Sequence, residues 1–246
     1  MLEVRNLVKN FGALKASDGI DFDVAEGETH AVIGPNGAGK TTFISQLAGN
    51  LRPDAGTVRF AGTDITALPA PRRARMGLAR SFQITSVYPE FSALDNVALA
   101  VQARSGHSFR FWRKAQGDVT LLEPAERVLA EVGLLQRKNI LAANLAHGEQ
   151  RQLEVAMALA TNPRLLLLDE PMAGMGTEES QRMIELLSRL KQTKTIILVE
   201  HDMDAVFALA DRITVLVYGR AIASGTPEAI RANAEVRQAY LGEEAA

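Results

Sequence analysis

Gly34-Pro35-Asn36-Gly37-Ala38-Gly39-Lys40-Thr41-Thr42 fits the pattern G-x-x-x-x-G-K-[ST] at every fixed position. Ahead of it, Thr29-His30-Ala31-Val32-Ile33 is short, apolar and partly β-branched, and reads as a buried strand. Behind it, Thr42-Phe43-Ile44-Ser45-Gln46-Leu47-Ala48 reads as a helix stopped by Gly49-Asn50. Strand, glycine-rich turn and helix form the setting in which main-chain N–H groups converge on a phosphate. Gly34, Gly37 and Gly39 supply that nest, reinforced by the positive end of the following helix, and Asn36 and Ala38 between them belong to the same nucleotide-binding loop. Lys40 would set an ammonium on the β- and γ-phosphates, the Thr41 hydroxyl would coordinate Mg2+, and the Thr42 hydroxyl would reach the α-phosphate.

Composition bounds what surrounds this loop. The chain has 246 residues, 47% hydrophobic and 23% charged, enough for one substantial core or one domain with a subdomain. A net charge of -2 argues against a broad basic surface for nucleic acid. The absence of cysteine excludes disulfides and thiolate metal sites. No apolar run approaches the roughly 18–20 residues of a membrane span, and Met1-Leu2-Glu3-Val4-Arg5 lacks the apolar core of a signal peptide. The expectation is a soluble cytoplasmic protein whose link to a membrane, if any, runs through a partner.

Around the loop the chain reads in three parts. Leu2 to Lys9, Ile20 to Val24 and Thr57 to Phe60 alternate or run short between turn residues, so antiparallel strands flank the phosphate-loop unit. The stretch 69–76, with Arg72, Arg73 and Arg75, reads as a solvated helical turn, and Leu78 to Gln83 as a strand entering a loop. From Pro89 to about Met157 the apolar period becomes helical, as in Leu94, Val97, Ala98 and Val101. Within it, 105–114 mixes aromatics with positive charge and reads as local packing of a connecting segment. Three continuous apolar runs follow, at Arg164 to Leu168, Thr195 to Val199 and Ile213 to Val217, suited to a parallel sheet covered on both faces. A helix from about Glu178 to Lys191, with Thr177 as its N-cap, joins the first two. The chain thus reads as one α/β domain over 1–246: a mixed-sheet core of about 1–84 and 158–246, an N-terminal antiparallel β subdomain, and a helical insertion of about 85–157.

Ligands of such a sheet sit at the carboxyl ends of its strands. Asp169 ends one strand and can hold Mg2+ through water, while Glu170 beside it can accept a proton from an attacking water. His201 ends the next strand, within reach of a γ-phosphate, and Gln83, where a strand meets a loop, can coordinate Mg2+ or orient water. His30 and His107 read as structural. Leu145-Ala146-His147-Gly148-Glu149-Gln150 opens another helix and offers free N–H groups to an anion. With one nucleotide already at Lys40, this second seat makes most sense for a nucleotide held by another subunit.

Taken together these residues resemble the ATP-binding subunits of ABC transporters, in the family's order and across essentially the whole chain. The resemblance makes Phe11 the aromatic that stacks on adenine, Gly34 to Thr42 the Walker A loop and Gln83 the Q-loop. It makes Leu145 to Glu149 the signature motif, with Ala146, His147, Gly148 and Glu149 facing a partner's ATP, Leu165 to Glu170 Walker B, and His201 the switch histidine. Gly77 to Gln83, Pro171 to Met175, Val199 to Met203 and the tail Ala239-Tyr240-Leu241-Gly242 are similar to the ATPases of branched-chain amino acid importers, with amide or urea importers and a soluble non-transport ABC ATPase as alternatives. A phosphate-loop kinase and a non-catalytic docking module stand further off. The resemblance implies Mg·ATP sandwiched head to tail between two ATPase subunits, the second a different chain or another copy. It also implies transmembrane permease subunits, a periplasmic or extracellular solute-binding protein acting indirectly, and a peripheral place on the cytoplasmic face of the membrane. Two departures stand out: Ala146-His147 where the family has Ser-Gly, and Gly176 where many members carry an acidic or amide residue. Both weigh against fast hydrolysis by a homodimer.

Overall fold

A computed structural model of the chain describes residues 1–81, 87–105 and 118–241. Gln83, His107 and nearly all of the 105–114 segment therefore lie outside the described residues.

The chain opens with strands β1 (Leu2–Phe11) and β2 (Leu14–Val24), then β3 (Thr29–Ile33) and helix α1 (Lys40–Ala48). β4 (Ala55–Phe60), β5 (Thr63–Asp64), α2 (Ala70–Arg75) and β6 (Leu78–Arg80) follow. The helical stretch is α3 (Ala93–Ser105), α4 (Val119–Glu131) and α5 (His147–Ala160). Then come β7 (Leu165–Asp169), α6 (Thr177–Leu190), β8 (Thr195–Val199), α7 (Met203–Leu209), β9 (Arg212–Val217), β10 (Arg220–Gly225), α8 (Pro227–Ala232) and α9 (Ala234–Leu241).

Two sheets result. The antiparallel one has the order β2-β1-β4-β5, and the mixed one the order β10-β9-β3-β8-β7-β6, parallel throughout except for β10. The continuous apolar runs are explained by burial on both faces: Leu165, Leu167, Ile197 and Val199 face the layer of α1 and the antiparallel sheet. Their neighbours Leu166, Leu168, Ile196 and Leu198 face α5 and α6. α1 is thereby held between two sheets, with Phe43, Ile44 and Leu47 buried.

The helical stretch shares one apolar cluster with β7, α6 and β8, and α5 runs on to Ala160, so the expected boundary at 157 falls inside a helix. Two expectations are corrected. α6 begins at Thr177 with Gly176 as its N-cap, so Thr177 lies inside the helix. The basic turn of 69–76 is a helix as expected, but Arg73 is not solvated. Its guanidinium is buried and donates to the carbonyls of Leu68, Thr66, Gln46 and Leu47, closing the C-terminal end of α1. Orphan carbonyls at a helix end take such a cation readily. Burial holds its pKa down at about 10.

Candidate nucleotide site

Because β6, β7, β8 and β3 are parallel neighbours, their carboxyl ends open on one edge of the sheet. Onto that edge the chain delivers Arg80, Asp169-Glu170, Glu200-His201 and the phosphate loop.

The loop is fixed from behind. Gly39, at φ 100, caps α1, and a Cβ there would run into the carbonyl oxygen of Ala16 on β2. A Cβ on Gly34 would meet the carbonyl oxygen of Leu216 on β9. No side chain fits at either point without moving backbone. The Ala38 carbonyl accepts the Gly219 amide at 2.9 Å, and the Gly219 carbonyl accepts the Asp18 amide at 2.8 Å, so the β9–β10 turn braces the loop. Lys40 is buried, its ammonium donating to the carbonyls of Gly34 (2.5 Å) and Pro35 (3.0 Å). Thr41 and Thr42 follow in the first turn, the former exposed.

Asp169 is buried at the end of β7. Its Oδ2 takes a 2.8 Å hydrogen bond from Arg80 Nη2, and its Oδ1 is buried with no hydrogen-bond partner among the described residues. Glu170 follows with φ 49, its amide donating to the Val199 carbonyl at 2.9 Å. A left-handed torsion at a non-glycine residue costs ~1–3 kcal/mol and persists where its surroundings over-determine it. Here it turns the chain sharply off the strand and into the 171–176 loop. His201 is largely exposed (side chain 66%) and lies above Glu200, which is fully buried. The Glu200 carboxylate accepts the amides of Met172 (3.0 Å) and His201 (3.1 Å), tying the loop after Glu170 to the histidine. Burial pushes Glu200 above the usual carboxylate range, those amides pulling the other way.

The signature residues meet their own chain's 173–176 loop. His147 Nε2 lies 3.1 Å from the Ala173 carbonyl oxygen. The Gly148 amide donates to Glu179 Oε1 at 3.2 Å, and the Gly176 amide to Glu179 Oε2 at 3.3 Å. Glu149 turns back to accept the Ala146 amide and is paired with Arg137. Phe11 stands half-exposed (50%) at the β1–β2 tip, with the Lys9 ammonium 5.7 Å from its ring centroid. His30, read as structural, is buried between the Asp23 carbonyl and the Thr214 hydroxyl.

Sequence reasoning missed Arg80, Glu200 and Glu179. Arg80 sits in an otherwise apolar strand, and a lone cation there is the one signal that could have been used. Glu200 and Glu179 gave none, since strand-end and first-turn carboxylates are ordinary.

A hard-oxygen donor set of Thr41 hydroxyl and Asp169 carboxylate, with Oδ1 buried and unpartnered, fits Mg2+, which takes few protein ligands and keeps waters. Among the described residues no cluster of three or more His, Asp or Glu suits a metal held by protein alone.

A glycine nest at a helix start, flanked by a strand ending in a buried aspartate, defines a phosphate-loop nucleotide-binding protein. Residues 17–173 match the ABC transporter family, and residues 222–246 match the family described as branched-chain amino acid ATP-binding cassette transporter. The chain belongs to the ABC transporter family. It is 39% identical to the high-affinity branched-chain amino acid transport ATP-binding protein LivG of Salmonella typhimurium, covering 99% of this chain and 98% of the relative. It is 38% identical, with the same coverage, to BraF of Pseudomonas aeruginosa, which carries the same description. The crystal structure of a nucleotide-free ATP-binding cassette from an ABC transporter superposes with a TM-score of 0.87 at 29% identity, covering 98% of each chain. The α/β cassette expected from sequence is thus the fold observed.

Proposed function

We propose that this chain is the ATP-hydrolysing subunit of a membrane importer for branched-chain or other hydrophobic amino acids. The observation that carries the chemistry is the shared sheet edge, where the phosphate loop, Asp169-Glu170 and His201 come together. The transported class rests on the names of relatives that match nearly end to end.

In this reading ATP lies with its adenine on Phe11 and its phosphates in the nest of Gly34, Asn36, Gly37, Ala38 and Gly39. Lys40 serves the β- and γ-phosphates, and Thr42 contacts the α-phosphate. Thr41, Gln83 and Asp169 would hold Mg2+, Asp169 through water, and the ion would neutralise phosphate charge. Glu170 takes the proton of the in-line water, and His201 and Lys40 steady the γ-phosphate as its charge develops.

Ala146, His147, Gly148 and Glu149 face the ATP of a second subunit. Ala146 has no hydroxyl to offer that phosphate, which favours pairing with a different ATPase chain over a homodimer. Membrane subunits would seat in a groove of about 380 Å³ lined by Ala48, Pro71, Ala79, Ala100 and Met157, beside the strand that leads to Gln83. No described helix is long and apolar enough to cross a membrane. The description of its relatives as transport ATP-binding proteins supports a place on the cytoplasmic face, bound through those subunits, with a solute-binding protein acting from the far side.

The test is Glu170→Gln, assayed with the partner ATPase and membrane subunits. ATP turnover falls by ~10²–10⁴ while ATP binding persists. Turnover within about tenfold of the parent would remove Glu170 as the base. Stimulation of turnover by leucine, isoleucine or valine in the reconstituted complex checks the solute class.

A further inference from the structure

We infer that Arg80 is a positioning residue, one that aims the Asp169 carboxylate at the metal by locking it to the phosphate-loop helix. The inference rests on the proposed role of Asp169 in holding Mg2+.

β6 pairs with β7 in parallel register, Arg80 opposite Leu167, which brings its side chain to Asp169 two residues further along the neighbouring strand. The guanidinium then does two things at once. Nη2 donates to Asp169 Oδ2 at 2.8 Å, and Nη1 donates to Ser45 Oγ at 3.1 Å on α1. α1 is the helix whose first turn carries Lys40 and Thr41. The Arg80 side chain is only 11% exposed and that of Asp169 not at all. A planar, delocalised cation is well suited to this bridge, because its donors keep a fixed angle between the two acceptors.

The hydrogen bonds leave one oxygen for the metal's water. Oδ2 is taken, and Oδ1 is buried with no hydrogen-bond partner among the described residues. Without Arg80 the carboxylate is free to rotate about the Cβ–Cγ bond and the bridge to α1 is gone. A buried ion pair of purely structural purpose would also show these contacts. Here the pair is also tied to the helix that supplies the other proposed metal ligand, and dependence on Mg2+ tells the two cases apart. Outer partners of this kind characteristically fix the orientation of metal-binding groups.

Calorimetric titration of ATP into the full chain, in EDTA and across a series of MgCl2 concentrations, separates the two cases. In Arg80→Met the Mg2+ concentration giving half of the gain in ATP affinity rises about 10–100-fold, while affinity in EDTA stays within about twofold of the parent. Arg80→Lys, which keeps the charge and loses the fork, shifts the half-point less than Arg80→Met. Ser45→Ala, which leaves the ion pair intact, shifts it in the same direction and by less again. An unchanged half-point in Arg80→Met overturns the inference, as does an equal loss of affinity with and without Mg2+. Should Arg80→Met fail to fold, unchanged half-points in both Arg80→Lys and Ser45→Ala overturn it. A parent whose ATP affinity ignores Mg2+ would instead sink the metal-binding reading itself, and this inference with it.

Discussion

At the start of α1 the phosphate loop is backbone packed against backbone; at the start of α5 the helix N-terminus is covered by a side chain. Gly39 and Gly34 are wedged against the carbonyls of Ala16 and Leu216, and the loop between them is braced by the β9–β10 turn. Gly148, by contrast, points its amide at the Glu179 carboxylate, and a Cβ there would meet that side chain first, with Oε1 at 2.7 Å, Cδ at 2.8 Å and Cγ at 3.0 Å. Both helices begin at the positive end of a dipole. The first is held in place by its own backbone packing. The second already holds an anion from its own chain. On the proposed function, the seat that holds its own nucleotide gains from rigidity, and the one that would close on a neighbour's gains from a removable cover.

The largest effect should come from disturbing the rigid seat. Gly39→Ala imposes a left-handed torsion at φ 100 on a residue with a Cβ, costing ~1–3 kcal/mol, and pushes that Cβ into the Ala16 backbone, costing ~1–3 kcal/mol more. A total of roughly 4 kcal/mol should lower Tm by on the order of 10 °C in a chain of this size. ATP binding should fall with it. Thermal melting and ATP titration of Gly39→Ala check this; a parent-like melting curve would break the contrast between the two seats.

Next in size is the acid sensitivity of the strand beneath that seat. His30 lies on β3, four residues ahead of Gly34, and burial lowers its pKa to about 4, helped by the nearby Arg212 charge and opposed by its hydrogen bond to the Asp23 carbonyl. Glu28 Oε1 lies 3.3 Å from Nδ1 and would favour the cation, but the ring is almost wholly enclosed and desolvation prevails. The folded pKa is below the unfolded value of about 6.5, so the neutral form is the stabilising one. Its contribution is complete above about pH 6.5 and is lost as pH falls toward 4, amounting to roughly 3 kcal/mol. Urea unfolding of the parent and of His30→Gln between pH 7 and 4 should show the parent losing about that much more than the variant. Parallel pH profiles would mean that β3 accepts the charge.

How legible the two seats were in the sequence follows from the same contrast. The rigid seat is written locally: a strand, a glycine loop and a helix within twenty residues, each recognisable by its own pattern. The strand ends at Asp169 and His201 were legible because continuous apolar runs imply parallel strands, and parallel strands share an edge. What was not legible is what comes from a distance. Arg73 looked like one of three solvated arginines, yet it closes the far end of α1 through carbonyls of residues 46, 47, 66 and 68. Arg80 meets Asp169 across 89 positions, and Glu179 meets Gly148 across 31. No periodicity encodes such pairings. The end strand β10 and the short helices α7 to α9 were missed for a related reason, since their apolar residues are few and complete a cluster begun by β3 and β9.

The smallest effect, and the one that bears most directly on the comparison, is at Glu179. Its carboxylate accepts amides at the starts of both α5 and α6, so Glu179→Gln removes a negative charge from two helix N-termini while an amide oxygen remains to accept one bond. Loss of such a charge costs about 0.3–1 kcal/mol per helix start, so the isolated chain should be slightly less stable. ATP-driven pairing with the second ATPase should move the other way. The partner's γ-phosphate no longer competes with a resident carboxylate for the Gly148 amide, and a similar free energy should tighten the pair by about twofold to fivefold. Gly148→Ala separates the cover from the charge, because its Cβ displaces the Glu179 side chain without altering the charge, and helix propensity offsets the strain to within about 1 kcal/mol. Sedimentation of the two chains with Mg·ATP, using a Glu170→Gln background to prevent turnover, reads the pairing directly. Weaker pairing in Glu179→Gln would mean that the carboxylate shapes the α5 seat for its phosphate, and the two seats would then differ only in which part of the chain does the building.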